Sequence, residues 1–176
     1  MRIENWRQAI APRDPALVEA IKQRRGGSLL NLDRMLLWSE PLARAWNVYL
    51  RALRQEIALS PKLRELAICV VGRVTGAQYE YYHHVPELKK AGGTDAQLAA
   101  LDDPDTAAAS PVFDELEREV IRFALASTRE VRIPDEVFEA LKQHLSPTEL
   151  VELTAVTATY NMVARFLVAL QVTPEE

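Results

Sequence analysis

Apolar residues recur at three- and four-residue spacing along nearly the whole chain, whereas the strict alternation that marks a strand is almost absent. That pattern predicts helices. Asp14-Pro15 opens the first, because Asp accepts hydrogen bonds from free N–H groups and Pro suits a first turn; it runs to Arg25 and closes at Gly26-Gly27. Ser28 to Trp38 is a second apolar segment, stopped by Ser39-Glu40-Pro41. From Pro41, the stripe Leu42, Trp46, Tyr49, Leu50 and Leu53 predicts a long helix to about Ala58. Ser60-Pro61 repeats the cap-plus-proline start, and Leu63, Leu66, Ala67, Val70, Val71 and Val74 form one apolar stripe ending near Thr75-Gly76. Further helices are expected from Ala77 to Ala91 with a Gly92-Gly93 stop, and from a Thr94 cap to Leu101. Beyond a polar loop at 102–110, others are expected from Pro111 to Ser127, from Pro134 to His144, and from Ser146-Pro147 to about Leu170. An echo between Leu63-Arg64-Glu65-Leu66 and Leu150-Val151-Glu152-Leu153, each after a Ser-Pro start, is consistent with an internal two-helix repeat. No stretch reads as an interdomain linker, so the expected fold class is all-α in a single domain.

Composition narrows the chemistry. The chain has 176 residues and a net charge of −4, from 21 basic and 25 acidic side chains. At this length it can bury roughly two-thirds of its unfolded surface, so a core needs no covalent or metal staple. Mild acidity without a dense Lys/Arg block argues against nucleic-acid binding. The N-terminus carries no apolar stretch of signal-peptide type, and the longest uncharged run, Leu153 to Ala164, is shorter than the roughly 18 residues of a membrane helix. The expectation is a cytoplasmic protein with no membrane partner. Cys69 is the lone cysteine, and His83, His84 and His144 are the only histidines, which leaves little for a metal site. Cys69 also falls on a stripe that should be buried, where a thiol behaves as a small inert hydrophobe.

The segment from Leu63 to Gly93, LRELAICVVGRVTGAQYEYYHHVPELKKAGG, concentrates the candidate chemistry. Glu80 and His84 are four apart and share one helix face, so both can reach a common small molecule. Glu65 lies on the preceding helix about 15 Å before the Thr75-Gly76 break, and His84 lies about 10–12 Å past it on an antiparallel partner. The two can therefore face each other, and a carboxylate opposed to an acid and an imidazole is a setting for proton transfer. From spacing alone a solvated Glu/His pair remains open, and so does a packing role for Tyr79, Tyr81 and Tyr82. His83 points about 100° away from His84 and reads as surface.

On these residues the segment resembles the carboxymuconolactone decarboxylase and AhpD-like alkylhydroperoxidase superfamily. Glu65 precedes Ala77 by twelve residues, and in that register Ala77 and Glu80 stand where the peroxidase branch has its two redox cysteines, with His84 at the motif histidine. The decarboxylase branch is closer, through Glu80-Tyr81-Tyr82-His83-His84 followed by Leu88, Ala91 and Gly92. The likeness extends over about 28–171, including Tyr160-Asn161-Met162-Val163-Ala164-Arg165-Phe166, with 1–27 as an N-terminal extension and first helix. It implies an AhpD-like helical protomer that assembles into homotrimers or homohexamers, with sites near subunit contacts where Trp6, Trp38 and Trp46 could pack. All three read equally as plain core, Trp46 above the others. The implied activity is a cofactor-independent decarboxylase-type lyase acting on a small lactone or cyclic carboxylic acid, of the kind met in the catabolism of aromatic compounds. His84 would be general acid or oxyanion donor, Glu80 its orienting or relay partner, and Glu65 an electrostatic tuner. Arg73 or Arg165 could hold a substrate carboxylate, with Tyr160 beside it. A thiol peroxidase is disfavoured by the missing cysteines. A non-catalytic ligand-binding or scaffold protein is the remaining alternative.

Overall fold

The computed structural model describes residues 1–175, and the described residues form ten helices and no strand. They are α1 Pro15–Arg24, α2 Asn31–Leu36, α3 Glu40–Gln55, α4 Pro61–Thr75, α5 Gln78–Lys90, α6 Asp95–Ala100, α7 Pro104–Ala107, α8 Glu115–Arg129, α9 Asp135–Lys142 and α10 Pro147–Leu170. Local chemistry accounts for most boundaries. Asp14 and Ser60 accept hydrogen bonds from Ala16 and Leu63 at the starts of α1 and α4, each with proline in the first turn. Gly76 ends α4 at φ 68°, a left-handed value that glycine adopts without a Cβ penalty. Thr94 and Gln97 form a capping box on α6, and Asp114 with Glu117 forms another on α8. The loop expected at 102–110 holds the short α7, which Asp103 caps through the N–H groups of Asp105 and Thr106.

Packing divides the chain into two compact units, Met1–Ile57 together with the residues from Leu170 onward, and Ala58–Ala169. The boundary has no linker-like composition, and it differs from the division after residue 27 expected from the sequence. In the first unit, α1 and α2 pack on α3. Trp6 is buried and donates to Ala11 O at 2.7 Å, while Trp38 and Trp46 are half-buried, so Trp46 is not simple core. The stripe expected on α3 is only partly the buried face: Ala43, Leu50 and Leu53 are inside, but Leu42 and Tyr49 stand exposed with Val48.

In the second unit α4 is the central element, packed against α5 and α8. Its eight consecutive residues Glu65 to Gly72 are all buried, so it is enclosed on every side where the sequence suggested a single stripe. Gly72 is the point of closest approach to α5: a Cβ there would lie 3.3 Å from the Tyr81 backbone nitrogen. The two Ser-Pro starts do mark two helix N-termini, but α4 is followed by a partner helix and α10 by none among the described residues, so the echo does not extend to a repeated helix pair. By length and composition α10 could cross a membrane, which the short uncharged run did not foresee. Half of its most apolar stretch is buried, with Leu150, Leu153, Val156, Tyr160 and Val163 turned inward.

Candidate functional site

The turn at Gly76 and Ala77 reverses the chain and brings one face of α5 onto α4. That face is Tyr79, Glu80, His84 and Leu88, all buried. His84 Nδ1 meets Glu65 Oε2 at 2.6 Å, with the histidine side chain 7% and the glutamate side chain 2% exposed. When Glu65 is ionised it can only accept, and Nδ1 then carries the hydrogen and donates it. This tautomer places the imidazole lone pair, or the second proton when the ring is charged, on Nε2. The other oxygen of Glu65, Oε1, accepts from Arg64 Nε at 3.1 Å.

Glu80 is the contrasting group. It is 2% exposed, and neither carboxyl oxygen has a hydrogen-bond partner among the described residues. Burial alone holds its carboxyl well above the usual carboxylate range, because charge in an apolar interior lacks the hydration that stabilises it in water. Glu80 is thus an acid that burial biases toward its protonated form, one helical turn from a histidine that is hydrogen-bonded to Glu65. The expected roles are therefore exchanged: Glu65, not Glu80, orients His84, and Glu80 is the group whose acidity the protein has shifted. The reason is rotational, since residues on one helix share a face without meeting head-on, whereas a facing helix can aim its side chain at the ring.

Tyr160, from α10, stacks edge-on against His84 with ring centroids 4.9 Å apart, so the fold brings these two residues together. Arg73 and Arg165 do not join it. Arg73 pairs with Asp102, donates to Leu101 O and lies 4.7 Å over the Tyr81 ring. Arg165 is exposed and turns back onto Asn161, with contacts of 3.0 and 3.3 Å to its backbone and side-chain oxygens. His83 is half-buried between Tyr79 and Tyr82, at centroid distances of 4.4 and 5.2 Å. Cys69 sits one turn past Glu65 with no solvent exposure, and burial, reinforced by Glu65 and Glu80, pushes its thiol far up. Such a thiol yields no thiolate for redox chemistry. No group of three potential metal ligands occurs among the described residues. An apolar groove of about 710 Å³ opens elsewhere in this unit, lined by Phe138, Leu145, Leu150, Val151 and Ala155 among others, and none of the site residues borders it.

Arg64 was not singled out by the sequence; its adjacency to Glu65 was visible, but neighbours on a helix diverge and rarely bond.

Residues 40–124 match the carboxymuconolactone decarboxylase family, a span that contains Glu65, Glu80 and His84. That span is just under half of the chain, and over it the chain is similar to the carboxymuconolactone decarboxylase family. Solved structures share the fold. An AhpD-core, uncharacterised peroxidase-related protein from Ralstonia eutropha JMP134 is 16% identical, with a TM-score of 0.82 over 99% of this chain and 92% of its own. The debrominase Bmp8, as a cysteine-to-alanine variant in complex with 2,3,4-tribromopyrrole, is 19% identical, with a TM-score of 0.79 over 99% of this chain and 92% of its own. An uncharacterised peroxidase-related protein from Silicibacter sp. TM1040 is 20% identical, with a TM-score of 0.77 over 93% of this chain and 88% of its own. At these identities the likeness is one of fold. No curated protein matches the chain in sequence. The chain has no paired redox cysteines, its single cysteine being the buried Cys69.

Proposed function

We propose that this protein is a cofactor-independent acid–base enzyme of the decarboxylase type, acting on a small lactone or cyclic carboxylic acid. The observation that carries the reading is the bare, buried Glu80 carboxyl one turn from the Glu65–His84 pair. A buried polar group without a partner is destabilising, and such groups persist where chemistry needs them. Decarboxylation breaks the bond between the carboxylate carbon and the ring, and its electron pair moves into the conjugated ring carbonyl. CO₂ leaves, and the resulting enolate must be stabilised at oxygen and protonated at carbon. His84, on a ring held by Glu65, serves the oxygen through Nε2 when the ring carries its second proton. Glu80 supplies the proton to carbon and recovers it from water. Two groups driven to opposite charge states by their surroundings divide the acid and oxyanion roles between them. The peroxidase alternative finds no support in Cys69, whose thiol is sealed and unionised.

Self-association as a homotrimer or homohexamer and a cytoplasmic location form part of the same proposal. The oligomer is supported by the family resemblance and by apolar side chains left exposed, Leu42 and Val48 on α3 and Val151 and Met162 on α10. The test is turnover of γ-carboxymuconolactone by purified protein, followed by ultraviolet absorbance and CO₂ release. His84→Ala and Glu80→Gln are each expected to lower kcat by about 10²-fold or more with the helical circular dichroism spectrum unchanged. Retained turnover in either variant removes that residue from the mechanism, and no turnover by folded wild type sinks the decarboxylase reading in favour of a non-catalytic ligand-binding protein.

A further inference from the structure

Glu65 and Glu80 are two buried acids on facing helices, each 2% exposed, and both act on the thiol of Cys69. Yet only Glu65 is hydrogen-bonded to His84. Burying a carboxylate without an opposing charge costs several kcal/mol, and a neutral imidazole does not supply that charge. Arg64 does. Its side chain is 14% exposed and its Nε donates to Glu65 Oε1 at 3.1 Å, on the opposite side of the carboxylate from His84. Adjacent helical residues diverge by about 100°, so this contact requires the Arg64 side chain to fold back along α4. Glu80 has no such cation among the described residues.

We propose that Arg64 is a positioning residue: it assigns the negative charge of the site to Glu65 and turns Oε2 toward His84, thereby setting the Nδ1–H tautomer. This rests on the acid–base reading above and deepens it, since the tautomer is what leaves Nε2 to face substrate. Without Arg64, two near-equivalent buried acids compete to stay neutral, and the imidazole loses the anionic acceptor that orients it. The guanidinium therefore breaks a symmetry that the two glutamates alone would leave.

The test is ¹⁵N NMR of the histidine-labelled full chain at neutral pH, with the His84 signals assigned through His84→Gln. Wild type and Arg64→Lys, which keeps the charge, are expected to show a protonated Nδ1. Arg64→Met, which keeps the stem and removes both charge and donor, is expected to move His84 toward the Nε2–H tautomer, as is Glu65→Ala. If Arg64→Met matches wild type while Glu65→Ala shifts, Arg64 has no positioning role and the acid–base reading stands. If Glu65→Ala also leaves His84 unchanged, the Glu65–His84 pair fails, and both readings fall with it. Wild type decides the matter should Arg64→Met not fold. Its Arg64 Nε–H proton is expected to exchange far more slowly than those of exposed arginines such as Arg51, and exchange at their rate overturns the proposal.

Discussion

Asp33 in the first unit and Glu80 in the second are buried to the same extent, at 1% and 2% exposure, and are otherwise opposites. Asp33 accepts from Arg25 Nε at 3.0 Å, from Arg24 at 3.3 Å and from the Leu30 backbone at 3.1 Å. Every part of it is used, and it joins α1 to the start of α2. The Glu80 carboxyl accepts from nothing and donates to nothing among the described residues. A carboxylate enclosed by two guanidinium groups and a backbone N–H is an anchor whose removal strands charge. A carboxyl enclosed by apolar side chains stabilises nothing where it sits, and its value lies in the proton it holds. The contrast separates structural from chemical burial more sharply than depth does.

Removing Asp33 should give the largest effect on stability. Asp33→Ala leaves two guanidinium groups of 7% and 12% side-chain exposure without their acid, and is expected to lower the stability of the first unit by about 3–5 kcal/mol in urea unfolding. A loss below 1 kcal/mol would erase the distinction. The same experiment on Glu80→Met should run in the other direction, raising stability by about 1–3 kcal/mol as an unsatisfied carboxyl is replaced by apolar volume. A destabilised Glu80→Met would mean that Glu80 has a structural partner.

A smaller and more specific effect is the pH dependence. Because burial raises Glu80, the folded chain keeps a proton that the unfolded chain releases. Its contribution to stability is complete below the ordinary carboxylate range and is lost as pH rises from there through the folded value. The loss should approach about 1.4 kcal/mol per pH unit in that window and be absent from Glu80→Gln. Identical slopes for variant and wild type would show that Glu80 titrates normally. The smallest expected signal comes from Cys69: in native protein a thiol reagent should label it only at the rate of unfolding, and rapid labelling would mean that the α4–α5 interface opens readily.

Helix positions were legible because their ends are written in short local chemistry: Ser60-Pro61, Gly76, Thr94 with Gln97, and Gly92-Gly93 all act within one turn. The buried face of α3 was less so, since Leu42, Val48 and Tyr49 are as apolar as Leu50 and Leu53 and only the packing partners choose between them. At the site, Glu65, Glu80, His84 and Tyr160 could be named from spacing and resemblance. Which glutamate meets the imidazole could not, because that depends on how two helices are rotated against each other. Arg73 and Arg165 illustrate the same gap, as long side chains reach partners that helix registers do not specify.

The tight reversal at Gly76 also bears on how the protein comes to exist. Glu65 and His84 are joined through a single helical hairpin, so their meeting requires closure of only a short loop, at small entropic cost. Contacts of low sequence separation form fast, and the Gly72–Tyr81 approach supplies a tight seam for them within the same hairpin. Tyr160 arrives from the last helix and must wait for the rest of the chain. On the ribosome, the acid–imidazole pair can be assembled while α10 is still being made, leaving the final helix to close over a centre already in place.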